Sequence, residues 1–177
     1  MATTEIVLSV LEQVQGIAIS CLESDDMFSG IKTRNGQPIP LLTEVKGDIT
    51  QQIELAISSV GVCVLVMTPA FEFIDEMLDP PDLAGMALVA LTVFEDVPVN
   101  LGPTVSGIPA IRLAQQVLGL LHGHLLNLTM TATPLRTPAF IGTKRPIVMT
   151  NEGPPLQYTI SFQAYVSLLA NQDLISK

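Results

Sequence analysis

A chain of 177 residues has room for one domain with a sizeable core. Apolar residues make up 48% of it and charged residues only 14%, there is no Trp, and the formal net charge is −9. Ordinary soluble domains carry about 25% charge, so these values exclude intrinsic disorder, a coiled coil, a collagen-like chain and a disulfide scaffold. The acidic balance also argues against nucleic-acid binding by the whole domain, which normally shows a basic face or stripe.

In chain order, Ile6, Val7, Val10, Leu11 and Val14 recur at helical spacing. They predict a helix over about residues 2–16, capped by Thr3 or Thr4 and ending near Gly16. Residues 20–40 read as a surface excursion, with Asn35-Gly36 as a possible hairpin turn. Asp48 is an N-cap signal for a helix whose stripe is Ile49, Ile53, Ala56 and Ile57, closed by Gly61. Val62 to Met67 then reads as a buried strand stopped by Thr68-Pro69. Phe71 to Ile74 predicts a short strand, 75–82 an acidic loop, and Leu83 to Phe94 a second long strand. A Gly/Pro loop covers 100–109, a further helix 107–122, and Leu125 to Thr133 a strand. Residues 134–155 form a second loop excursion, broken by a short strand at Ile147 to Met149. From Gln157 to Leu168 apolar and polar residues alternate, the mark of a half-buried strand. The sum is a single α+β domain over 1–177, with three helices packed on one face of a mainly antiparallel sheet of four to five strands.

A membrane-spanning helix needs about 20 apolar residues. The best stretch, Leu55 to Phe71, is interrupted by Ser58, Ser59, Gly61, Thr68 and Pro69. Glu5 and Glu12 precede the first base, Lys32, so no secretory signal is expected. The expectation is a soluble, non-exported chain whose Cys21 and Cys63 are reduced, buried thiols. Its charge is uneven: residues 1–100 hold 15 acids and 3 bases, residues 101–177 hold 2 acids and 5 bases.

Catalytic motifs are sparse. His122-Gly123-His124 offers two imidazoles, but no other His or Cys stands at a metal-ligand spacing. The pairs Asp25-Asp26, Asp75-Glu76 and Glu95-Asp96 read as solvated acids, since strand neighbours point to opposite faces. There is no nucleophile elbow and no phosphate loop; Gly102 to Gly107 precedes a helix, but Pro103 and Pro109 remove donors and no Lys follows. The expectation is a non-enzymatic protein with no cofactor and no metal. The alternative of another class is an α/β enzyme or ligand-binding domain using His122, His124 or Glu95.

Four stretches carry a family likeness: Pro40 to Ile49 leading to Gly61; Val62 to Met67 with Thr68-Pro69; Val93 to Asn100 with Gly102, Gly107 and the helix after Pro109; and the last alternating strand with Tyr158, Phe162 and Tyr165. Over roughly residues 40–170 the chain resembles the tail-terminator and tail-completion (neck) proteins of tailed bacteriophages. It departs from them at Leu101, where a basic residue is expected. The resemblance implies a virion protein assembled in the host cytoplasm, a homo-oligomeric ring, commonly a hexamer, that ends the tail and joins it to the neck. Its partners would be the tail tube or sheath protein and head–tail connector proteins, with genome DNA only passing through the lumen. A head–tail joining or minor tail protein is the alternative within that class. The ring contact is expected between an acidic loop with Asp75, Glu76, Asp79 and Asp82 and a basic loop with Arg136, Lys144 and Arg145.

Overall fold

A computed structural model of the chain describes residues 9–30, 33–44, 47–73, 84–104, 107–128, 138–150 and 155–167. The first helix, α1 (Val10–Glu23), starts at a capping box. Ser9 Oγ accepts the Glu12 N–H at 3.2 Å, and the Glu12 carboxylate accepts the Ser9 N–H at 2.7 Å. The start expected at Thr3 or Thr4 lies outside the described residues. Gly16 does not end the helix. A mid-helix glycine costs about 1 kcal/mol, and burying Ala18 and Leu22 beyond it offsets that. The excursion expected from residue 20 is therefore partly helical: α1 runs on to Glu23, and a single turn α2 (Asp26–Ser29) follows, capped by Asp25. Phe28 and Ile39 from this stretch enter the core.

The segment around Asn35-Gly36 turns without making a hairpin. It leads instead to β1 (Leu41–Thr43), which pairs in parallel with β2 (Val62–Val66). Between them lies α3 (Ile49–Val60), and its ends match expectation. Asp48 Oδ1 accepts the N–H groups of Thr50 and Gln51, and Gly61 closes the helix at φ 88°. Such β–α–β crossovers are right-handed in about 98% of cases. Val64 donates its N–H to Pro40 O, toward β1. For an L-residue on that strand, a right-handed crossover puts the helix on the face away from the Val64 side chain. So α3 covers Cys63 and Leu65, and all five residues of β2 are buried. The expected one-sided packing is corrected: α1 and α5 (Ala110–Leu121) share one face, and α3 takes the other.

Among the described residues the sheet has six strands rather than four to five: five in the order β1-β2-β4-β6-β5, and β3 beside β4 off that path. Its centre is the pair β4 (Ala84–Glu95) and β6 (Leu156–Ser167), antiparallel over twelve residues. On the other side of β4, β2 pairs with 91–95 and β3 (Ala70–Phe73) with 85–88. Thr68-Pro69 separates these two strands, as the sequence predicts. β5 (Ile141–Thr150) is outermost and carries a register shift between Gly142 and Ile147. Ile141 to Arg145, expected as loop, are thus strand. The strand expected over 125–133 reduces, where described, to one bridge between Leu125 and Ala139. A helical turn, α4 (Val97–Asn100), leads into the Gly/Pro loop, which holds a 3-10 turn at Gly102–Thr104.

Alternation on β4 and β6 sends Val89, Leu91, Val93, Ile160, Phe162 and Ala164 to the face under α1 and α5. Phe140 meets Phe162 edge-on, with ring centroids 6.1 Å apart. Each large apolar side chain enclosed there contributes about 1.5–3 kcal/mol.

Candidate functional site

Glu95 was expected to be solvated; it is 3% exposed. It ends β4 on the core face and points at the start of α5, where Pro109 offers no side-chain cap. Glu95 Oε2 accepts the Ala110 N–H at 3.0 Å, and Oε1 accepts from Asn100 Nδ2 at 2.6 Å. Asn100 Nδ2 also donates to Ile108 O at 2.8 Å, while its Oδ1 has no partner among the described residues. A carboxylate at a helix N-terminus is favoured by the free N–H groups and the dipole. Its neighbour Asp96 turns away and caps α4 through the Val99 N–H. The pair is therefore split between two capping duties. Asp25 is also engaged, on the Met27 N–H and on Gln116 Nε2 at 2.9 Å. Asp75-Glu76 lies outside the described residues.

The two histidines part company. His122 Nδ1 accepts the Gly142 N–H at 3.1 Å, whereas His124 Nδ1 stands 3.8 Å from Cys21 Sγ. Cys21 also faces Leu120 O, in an open groove of about 680 Å³ between α1 and the end of α5. Partial burial, then the nearby Asp25 charge, push the Cys21 thiol up. It is thus a protonated thiol at neutral pH, a poor nucleophile. Both cysteines are free, but only Cys63 is buried as expected; Cys21 is half-exposed. Among the described residues no three His, Cys, Asp or Glu side chains are grouped to hold a metal ion. None of their helices is long and apolar enough to cross a membrane.

The remaining feature is the sheet edge at β5. Val148 (44% exposed) and Met149 (53%) project from opposite faces of this ten-residue strand, and Ile141 is 39% exposed. Apolar side chains on both faces of a long edge strand make a template for pairing with another chain. Of the expected ring-contact residues, Asp75, Glu76, Asp79, Asp82 and Arg136 lie outside the described residues. Lys144 and Arg145 fall on β5, at its register shift, and not in a loop. The short strand expected at Ile147 to Met149 lies within β5; the sequence reading missed only its first half, because Lys144-Arg145-Pro146 resembles a turn.

No family model and no curated protein matches this chain.

Proposed function

We propose that this protein is a non-enzymatic structural subunit of a bacteriophage virion: a tail terminator that assembles as a ring, commonly a hexamer, at the head-proximal end of the tail and joins it to the neck. The observation that supports this reading is the β5 edge, with exposed Val148 and Met149 on its two faces. Covering such an edge with another copy buries its apolar side chains and satisfies its backbone groups. The scarcity of charge agrees, since a ring subunit hides two lateral surfaces from water. A net charge of −9 also suits a conduit, because an acidic wall repels phosphate and lets DNA slide through.

Negative-stain imaging and light scattering of the purified protein test the reading. Closed rings are the expected result. A monomer at every concentration overturns it and redirects attention to the Cys21 groove as a ligand site. Head–tail joining and minor tail roles share the oligomer and differ in the partner that binds it.

A further inference from the structure

We infer that β5 of one copy pairs antiparallel with β1 of the next, so that the sheet continues from subunit to subunit. This rests on the reading of the chain as a self-assembling subunit and names the acceptor of the β5 edge. Among the described residues β1 and β5 are the two ends of the strand order, with Leu41 to Thr43 paired on one side by β2 and Ile147 to Thr150 on one side by β6. Following the pairings from β1 across β2, β4 and β6, the strand direction reverses three times, so β5 runs opposite to β1. Copies related by rotation about an axis along the strands would therefore meet as an antiparallel pair, which forms straight, well-aligned hydrogen bonds.

The two edges also stand level. One row of Cα partners runs Met149, Tyr158, Val93, Val64, Leu41. The next runs Val148, Thr159, Thr92, Leu65, Leu42. Without any slip along the strands, Ile147, Val148 and Met149 of one copy face Thr43, Leu42 and Leu41 of its neighbour. Because Val64 donates to Pro40 O, Leu41 and Thr43 turn their own N–H and C=O groups away from β2. On β5, alternate residues likewise turn theirs away from β6. The pleat agrees as well: Met149 would lie beside Leu41 on one face and Val148 beside Leu42 on the other.

Charge agrees with this alignment. Toward the shift in β5 the next residues are Arg145 and Lys144; beyond Thr43 on the facing edge comes Glu44, which is exposed. By position along the edge, the stretch that carries the two bases comes level with Glu44, whose carboxylate also accepts the Thr68 N–H at 3.1 Å.

The test mixes two single-cysteine additions, Val148→Cys and Leu42→Cys, under mild oxidant, with the parent protein as control for Cys21 and Cys63. In this register the two side chains form a non-hydrogen-bonded pair, the geometry in which Cβ atoms come closest. A disulfide-linked band at twice the monomer mass is expected in the mixture and in neither variant alone. Melting curves like the parent's establish that the variants fold. Oligomers without a mixed disulfide, at this pair and at Met149→Cys with Leu41→Cys, overturn the pairing while leaving the ring reading standing. A crosslink in Val148→Cys alone also overturns it, in favour of a symmetric β5–β5 contact. Monomers throughout overturn both readings.

Discussion

The side chain of Asn100 donates to the carboxylate of Glu95 at 2.6 Å, with both residues enclosed by protein. This contact ties the end of the central strand to the turn that launches α5. The helix itself hangs on the other carboxylate oxygen, through the Ala110 N–H. Hydrogen bonds to a charged group contribute about 1.5–3 kcal/mol, and stranding buried partners adds to the loss. Glu95→Ala is therefore expected to lower stability by about 3 kcal/mol in urea unfolding. Glu95→Gln, which keeps one acceptor, is expected to lose about half as much.

Two glycines should respond with opposite sign. Gly61 has φ 88°, and a Cβ there would sit 2.3 Å from Asn100 N, a backbone atom that cannot step aside. Gly61→Ala is expected to destabilise by more than about 1 kcal/mol. Gly16 lies inside α1, and among the described residues nothing comes within 4 Å of a Cβ added there. Gly16→Ala should raise stability by about 1 kcal/mol in the same assay.

The cysteines should differ in rate and in pH dependence. Cys21 should react slowly with a disulfide reagent in the native protein, and Cys63 only on unfolding. Burial pushes the Cys63 thiol up to about 12, from 9.0 in the open chain. Between those values the unfolded thiol ionises while the folded one stays neutral. Its contribution to stability is thus complete below pH 9 and disappears toward pH 12. Cys63→Ala should lose stability at neutral pH and show a shallower alkaline decline. Equal slopes for parent and variant would remove Cys63 from the explanation.

Charge reversal at the sheet edge offers a separate check. Lys144→Glu with Arg145→Glu should weaken self-association about tenfold at low salt, with less effect at high salt. Adding Glu44→Lys should restore it. Sedimentation velocity reads both changes, and a triple variant no better than the double would contradict the alignment.

How much of this was legible beforehand depends on where the information sits. Asp48, Gly61 and Val62 announce helix, stop and strand because caps and glycine φ act within a few residues. β6 was equally plain, since one face is buried along its length and alternation records that directly. β1 was hidden: three residues after Pro38-Ile39-Pro40 become a strand only because β2 lies beside them. The same holds for Ile141 and Gly142, which are strand because Gln163 and Phe162 of β6 lie beside them, ahead of the shift that carries Lys144 and Arg145. Glu95 looked like a surface acid because its partner, the Ala110 N–H, arrives from a helix fifteen residues later. Helix α1 outran Gly16 because tertiary burial of Ala18 and Leu22 outweighs a local penalty.

The central pair has a consequence in time. β4 is synthesised long before β6, yet the two are partners over twelve residues and form the middle of the sheet. During translation β4 therefore emerges with its whole β6 flank bare, and the core face cannot close until Leu156–Ser167 has left the ribosome. Pairings so distant in sequence form slowly, and the waiting strand is apolar enough to attract other nascent chains. Chaperone dependence and inclusion-body formation on rapid expression are the expected cost, relieved by slowing synthesis in the cold.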